Sequence, residues 1–343
     1  MIKILAAAIT FTILAGCSLV SSQTTQWVDT TNNLQWPPPP ETPRIQYLRD
    51  FKGPAHFKKS STSQKIFSWI TGDKGDTLPF VAPYGVAADG TGRVWVADTG
   101  IHGVHQIDLA KNKVSYIFNT DKNPLMTPVG VAIDLNRKRL YVSDTTLAKV
   151  FLYDLDGYFI TSWNAPEDFG RPAGLSVDQK GQLYVVDAQK NKLFIFSPDG
   201  ALLRTITSAA PPELSFNAPS NVAINDQGQF FVVDSLNFRI EFFSEEGKSL
   251  GTFGSAGDAP GYFARPRGIA VDKEGHIYVA DASFDNIQVF DKTGKLLIYF
   301  GQSGKKPGEF ALPAGMTFDQ HNRLYVVDSY NQRLQIFEYL PEQ

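Results

Sequence analysis

Pro266-Arg267-Gly268-Ile269-Ala270-Val271-Asp272, followed after a four-residue turn by Ile277-Tyr278-Val279-Ala280-Asp281, is one of six copies of a single pattern. The others are Pro83-Tyr84-Gly85 with Trp95-Val96-Ala97-Asp98, Pro128-Val129-Gly130 with Tyr141-Val142-Ser143-Asp144, and Pro172-Ala173-Gly174 with Tyr184-Val185-Val186-Asp187. Pro219-Ser220-Asn221 with Phe231-Val232-Val233-Asp234 and Pro313-Ala314-Gly315 with Tyr325-Val326-Val327-Asp328 complete the set. Their aspartates stand 46, 43, 47, 47 and 47 residues apart, a spacing that suits four short antiparallel strands per repeat.

Turn residues fall where hairpins need them: Asp199-Gly200, Glu246-Gly247 and Thr293-Gly294 separate the third and fourth strands. Runs such as Phe194-Ile195-Phe196 and Ile287-Gln288-Val289-Phe290 are apolar on both faces, as radially packed sheets require. The expected fold is an all-β, six-bladed β-propeller with four-stranded blades. The last repeat stops after its third strand, residues 333–339, and would leave a sheet edge with unpaired backbone groups. Arg44-Ile45-Gln46-Tyr47-Leu48-Arg49-Asp50-Phe51 carries the missing strand's alternation, so residues 42–51 are expected to close the ring and 52–82 to form a crossing segment with a short helix at 64–70.

The repeat, with Pro-x-Gly, Tyr-Val-x-Asp and then Asn237-Phe238-Arg239-Ile240-Glu241-Phe242-Phe243 or Asn331-Gln332-Arg333-Leu334-Gln335-Ile336-Phe337, resembles the NHL repeat. The loops Phe253-Gly254-Ser255-Ala256-Gly257 and Phe300-Gly301-Gln302-Ser303-Gly304, with Pro307-Gly308-Glu309-Phe310, fit it as well. The resemblance covers residues 83–340. It implies the propeller fold but no single activity, because propellers host unrelated functions.

Before the repeats, Met1 to Gly16 offers Lys3 and then an apolar run from Ile4 to Leu14, too short for a permanent membrane span. It ends in Leu14-Ala15-Gly16-Cys17, which resembles a bacterial lipobox, and Cys17 is the only cysteine. Residues 1–16 are therefore expected to be a lipoprotein signal peptide and Cys17 the lipid attachment site, whose acyl chains would hold the protein at a membrane. In bacteria with the familiar sorting rule, Ser18 in place of Asp implies the outer membrane of the cell envelope, facing the periplasm. Residues 17–41, Ser/Thr/Gln-rich and then Trp36-Pro37-Pro38-Pro39-Pro40, read as an extended tether. The propeller would occupy 42–343.

Composition is ordinary for a globular protein, with 43 % hydrophobic and 20 % charged residues. Loss of Lys3 with the leader leaves 31 basic against 35 acidic residues, so nothing attracts polyanions globally. RNA binding, known for some NHL propellers, needs a basic loop face; Glu167, Asp168, Asp258 and Glu309 interrupt it, and no nucleic-acid partner is expected.

The six aspartates look structural, since a role repeated in every blade serves the blade, and the basic residue five positions on (Lys149, Lys192, Arg239, Arg333) is expected to pair with them. Blades 1 and 5 break this pattern with Gly103 and Asn286. Asp154-Leu155-Asp156-Gly157 lacks the ligands of a calcium loop and reads as a hairpin. Phosphate-binding loops, His-Glu-x-x-His and Gly-x-Ser-x-Gly are absent. His102 stands where the related peptide-amidating lyases carry a zinc ligand, but Ala148, Asn191, Phe238, Asp285 and Gln332 occupy the equivalent positions. His56, His105, His276 and His321 read as surface or packing residues. Asn221 replaces a glycine near the channel mouth, where lactonase-like propellers hold a divalent ion, without a matching acid at the other Pro-x-Gly sites.

Loops leading into the first strand and loops after the Tyr-Val-x-Asp strand should emerge on one face. They hold Tyr84, His102, Asn221, Phe238, Arg265, Arg267, Phe284, Asp285 and Tyr330, a mix of aromatic and Arg groups suited to an interface. The expectation is a non-catalytic, membrane-anchored recognition or scaffold module, a monomeric propeller without cofactor, that binds a protein, peptide or glycan. The alternative is a metal-dependent lyase or lactonase with its site at the channel mouth.

Overall fold

A computed structural model describes residues 33–54, 78–118, 125–165, 169–208 and 215–341. Cys17 and its leader, most of the tether, His56, the helix expected at 64–70, and Glu167 and Asp168 lie outside these residues.

Two short N-terminal strands, β1 (Gln35–Trp36) and β2 (Ile45–Phe51), precede six blades. Blade 1 holds β3–β6 (Pro83–Ala88, Arg93–Asp98, Gly103–Asp108, Lys113–Phe118) and blade 2 holds β7–β10 (Pro128–Asp134, Arg139–Asp144, Lys149–Asp154, Phe159–Trp163). Blade 3 holds β11–β14 (Pro172–Val177, Leu183–Asp187, Lys192–Phe196, Leu202–Ile206) and blade 4 holds β15–β18 (Pro219–Ile224, Phe230–Asp234, Arg239–Phe243, Ser249–Phe253). Blade 5 holds β19–β22 (Pro266–Val271, Ile277–Asp281, Asn286–Phe290, Leu296–Phe300), and blade 6 holds β23–β25 (Pro313–Phe318, Arg323–Asp328, Arg333–Tyr339) together with β2 and β1. The six innermost strands touch in cyclic order from β3 through β23 and back to β3, which closes the ring around a central channel.

The core is divided among the blade interfaces. Trp95 and Ala97 of β4 pack into the cluster shared with blade 2, whereas Val94 and Val96 pack into the cluster shared with blade 6. Successive strand residues point to opposite faces, and here both faces are covered, so every position of Tyr-Val-x-Asp before its aspartate is buried, and all but Ser143 of blade 2 are hydrophobic. The glycine of Pro-x-Gly answers to close approach at the axis. A Cβ on Gly268 would stand 1.9 Å from the carbonyl oxygen of Ala314 in the next blade, and one on Gly130 2.1 Å from that of Ala173.

The N-terminal closing strand is β2. It runs antiparallel to β25, with Ile45 opposite Tyr339 and Phe51 opposite Leu334. Ile45, Tyr47, Leu48 and Phe51 are all buried, the first two between blades 5 and 6 and the last two between blades 6 and 1. Arg333 locks this closure. Its Nε donates to Asp328 Oδ2 at 2.6 Å, its Nη1 reaches Asp50 Oδ2 at 3.4 Å and the Lys305 carbonyl at 2.9 Å, and its Nη2 donates to the carbonyls of Lys306 and Glu309.

One boundary differs from the sequence reading. The tether expected over 17–41 gives way by residue 34 to chain docked on the propeller: Gln35 and Trp36 pair with Gln46 and Ile45, making blade 6 five-stranded. The reason is the Trp36 ring, which has Phe300 and Phe337 at centroid distances of 5.5 and 6.0 Å, beside Leu34 on the cluster between blades 5 and 6. Proline-rich composition argued for a spacer, but an indole with an apolar groove to fill is more stable docked than hydrated.

Candidate functional site: a loop-face funnel

Both loop sets do share one end of the ring, because the repeated aspartates tie them together. Each aspartate is fully buried. Asp98 accepts the amides of Val81 and Ala82, ahead of β3, and of Gly100 after β4; Asp281 accepts Ala264, Arg265, Ser283 and Phe284 in the same manner. Asp234 and Asp328 accept one backbone amide each and are completed by side chains, Asn237 and Arg239 in one case and Asn331, Arg333 and Gln335 in the other, so these carboxylates are engaged in holding the blades. Of the basic partners, Arg239 and Arg333 reach Asp234 and Asp328 at 2.9 and 2.6 Å. In blade 1, where Gly103 interrupts that pattern, buried His105 takes over and donates from Nε2 to Asp98 at 3.2 Å. Burial pushes the Asp98 carboxyl up, but His105 and the two amides outweigh it and hold Asp98 below its ordinary value.

The position of His102 has a structural function that repeat alignment alone did not reveal. His102, Ala148, Asn191, Phe238, Asp285 and Gln332 all adopt left-handed backbone, with φ between 52° and 55°. Four of them reach from the end of one blade to the loop leading into the next. His102 Nδ1 donates to the Met126 carbonyl, Asn191 Oδ1 accepts the Ala218 amide at 2.9 Å, Asp285 Oδ1 accepts the Leu312 amide at 2.7 Å, and Gln332 Nε2 donates to the Val81 carbonyl at 3.1 Å. Ala148 and Phe238 instead pack on apolar clusters. His102 and Asp285 are thus staples between blades.

The remaining loop-face candidates do not all converge. Tyr84, Phe238, Arg265 and Arg267 line a funnel of about 520 Å³ around the axis, together with Thr145, Arg171, Ser220, Ser235 and Leu236. Asn221 sits deeper, in the channel, while Phe284 and Tyr330 lie outside the funnel lining. Arg171 is a residue that sequence reasoning missed. It precedes Pro172 as Arg265 precedes Pro266, and Tyr84, Ser220 and Arg267 all occupy the position after the proline. Two columns of the repeat therefore face the funnel, a signal that full alignment of the six copies contains.

The funnel is firmly built. The amides of Arg171 and Arg265 donate to Asp187 and Asp281. Ser220 Oγ donates to the Arg267 carbonyl at 3.0 Å, and Ser235 Oγ lies 2.8 Å from Ser220 Oγ and 2.9 Å from the Pro266 carbonyl oxygen, joining blades 4 and 5. The Arg267 guanidinium lies over the Tyr84 ring, 5.9 Å from its centroid. Burial, reinforced by neighbouring Arg265, holds Arg267 below the ordinary arginine value. Among the described residues no aspartate or glutamate lines the funnel; Asp258 and Glu309, the described acids expected to interrupt the face, are not part of its lining.

Neither metal arrangement suggested by related propellers fits these residues. The staple position offers a single histidine, already directed at Met126. Asn221 Oδ1 accepts the amide of Val222 at 2.9 Å, and Asp319 at the other end of the channel is held by Arg323 and Tyr325. Among the described residues no group of three His, Cys, Asp or Glu side chains could hold a metal ion.

A second cleft, about 760 Å³, lies where residues 37–45 pass blade 5. His276 lines it, donating from Nδ1 to Asp272 at 2.9 Å, with Tyr339 bonded to Glu274 alongside. The hydrogen bond to Asp272 raises the His276 pKa above its ordinary 6.5, against the opposing effects of burial and Arg44. A raised folded-state pKa contributes stability that is fully present below pH 6.5 and is lost as pH rises through the folded value. His276→Ala should therefore destabilise the domain more at pH 5.5 than at pH 9, by urea denaturation; an equal loss at both would show that the imidazole acts by packing alone.

Comparison with known proteins agrees with the architecture. Residues 86–217 match the model of the SMP-30/gluconolactonase/LRE-like region, and residues 273–339 match a family described as a 6-bladed beta-propeller. Peptidylglycine alpha-amidating monooxygenase of Rattus norvegicus is 25 % identical over 137 residues, 35 % of this chain and 14 % of that protein. A probable peptidyl-alpha-hydroxyglycine alpha-amidating lyase of Caenorhabditis elegans is 25 % identical over 131 residues, 34 % of this chain and 37 % of that protein. The chain thus spans a minor part of either relative. Among solved structures, a virginiamycin B lyase of Staphylococcus aureus superposes with a TM-score of 0.57 at 13 % identity, covering 76 % of this chain and 96 % of that one. A Bacteroides thetaiotaomicron protein of unknown function superposes with a TM-score of 0.61 at 17 % identity, covering 76 % and 70 %. At such identities these likenesses speak for the fold, and with the six repeats and the closed ring they identify the chain as a six-bladed β-propeller, with which its NHL-like repeats are consistent.

Proposed function

We propose that this propeller is a lipid-anchored recognition module of a bacterial envelope, held at the membrane through Cys17 and binding a protein, peptide or glycan at its loop-face funnel without catalysing a reaction. The observation that carries this reading is the funnel itself, a cavity walled by Arg, aromatic and aliphatic side chains on a closed ring, in which, among the described residues, no nucleophile stands beside a base. Similarity to amidating and virginiamycin B lyases favours a second reading, a metal-dependent lyase or lactonase at the same face.

Two measurements test the proposal. A photo-crosslinker at Leu236, in the funnel wall, should capture a discrete partner in intact cells, and stoichiometric divalent metal retained by the purified domain after dialysis would favour the enzymatic reading instead. Anchoring is tested separately: Cys17→Ser should shift the protein from the membrane fraction to the soluble fraction. Unchanged membrane association would refute lipid attachment at this residue.

A further inference from the structure

Three arginines converge on the funnel, Arg171 and Arg265 from the segments leading into blades 3 and 5 and Arg267 from just inside β19. Among the described residues none has a carboxylate partner and no acid lines the cavity. Elsewhere in the ring the buried arginines are paired: Arg239, Arg323 and Arg333 each donate from Nε to an aspartate at 2.6–2.9 Å. Arg267 is half-buried, and among the described residues the Tyr84 ring is its charge-compensating neighbour. A desolvated guanidinium without an anion is costly, and its planar fork matches a carboxylate or phosphate through two parallel hydrogen bonds. The backbones that carry these arginines are fixed by Asp187, Asp281 and Ser220, so the positions from which the side chains reach into the funnel are set before any ligand arrives. Leu236 and Phe238, from the loop after β16 in the blade between those that carry the arginines, add apolar surface to the same cavity.

We infer that the funnel binds a ligand presenting a carboxylate next to an apolar group, with the carboxylate on the arginine cluster and the apolar group against Leu236 and Phe238. The inference rests on the recognition reading of this face and specifies the chemistry recognised there. About 520 Å³ accommodates a small organic acid or the last two or three residues of a peptide, two sources of the same chemistry.

The test is titration calorimetry on the full propeller with four probes: octanoate, octanamide, an apolar tetrapeptide with a free C-terminal carboxylate, and its C-terminal amide. Octanoate or the peptide acid is expected to bind at least about ten-fold more tightly than the matched amide, as loss of a charged hydrogen bond implies, and more weakly as salt is raised. Whichever acid binds better distinguishes a free organic acid from a chain terminus. Arg267→Ala should lower that affinity about ten-fold or more, and Arg171→Ala, at an exposed side chain that does not threaten folding, should lower it measurably. Acid and amide binding equally, or no probe binding at all, would overturn the inference. Crosslinking from Leu236 is independent of that outcome: a captured partner with no preference for the acids would leave the recognition reading standing and remove only the carboxylate specificity.

Discussion

Deleting residues 42–51 is expected to abolish the single cooperative melting transition of the propeller and to leave an aggregating, partly folded chain. The deletion removes β2, and with it Ile45, Tyr47, Leu48 and Phe51, each no more than 1 % exposed. Full burial of a large apolar side chain is worth about 1.5–3 kcal/mol, so four of them together contribute about 6–12 kcal/mol. That is comparable to the whole stability of an ordinary domain, about 5–15 kcal/mol. The loss does not stop there, because β25 becomes an open edge and β1 loses the strand it pairs with. Calorimetry of the deleted and intact domains checks the result. A deleted domain that melts where the intact one does would mean that β2 contributes little to closing the ring.

The second large effect is expected at the Asp328–Arg333 pair. Asp328 is fully buried and also accepts the Ala311 amide and the side-chain amides of Asn331 and Gln335, while Arg333 is 1 % exposed. Asp328→Ala leaves a buried guanidinium without its carboxylate and should cost about 3–5 kcal/mol. At the usual conversion this lowers the melting temperature by about 6 °C or more. The double variant with Arg333→Ala should cost less than the two single changes added, since it removes the stranded charge as well. Additive losses in urea denaturation would show that the two side chains act independently. By contrast, the exposed Lys180–Glu245 pair between blades 3 and 4 should show almost no effect when broken.

How much of this was legible depended on the range over which each feature is decided. The Tyr-Val-x-Asp strands and their hairpin turns were readable because alternation with period two and turn glycines are local; Gly200, Gly247 and Gly294 all adopt the positive φ that their positions in the repeat imply. The closing strand was readable for the same reason, since the 44–51 segment carries a strand's alternation and the last repeat lacks one strand. The docking of Trp36 was not, because its groove is made by Phe300 and Phe337, far along the chain, and the adjoining prolines pointed to an extended spacer. His102 illustrates the same limit. Its repeat position was identified, but its acceptor, the Met126 carbonyl, belongs to the next blade's approach loop, and no residue type in that loop advertises an acceptor.

The sequence by itself determined the number of blades, the strand that closes them, the structural place of the six aspartates and the face on which non-repeating residues gather. Each follows from a period or from a residue type whose backbone demand is met within one repeat. Only the tertiary structure decided which of those residues meet. Tyr84, Phe238, Arg265 and Arg267 share a funnel with the unforeseen Arg171, whereas Asn221, Phe284 and Tyr330 do not line it, and His102 and Asp285 are spent joining blades. Convergence at the axis is set by ring closure and by the angle each blade takes from its neighbours, and that geometry exists only once all six interfaces are packed.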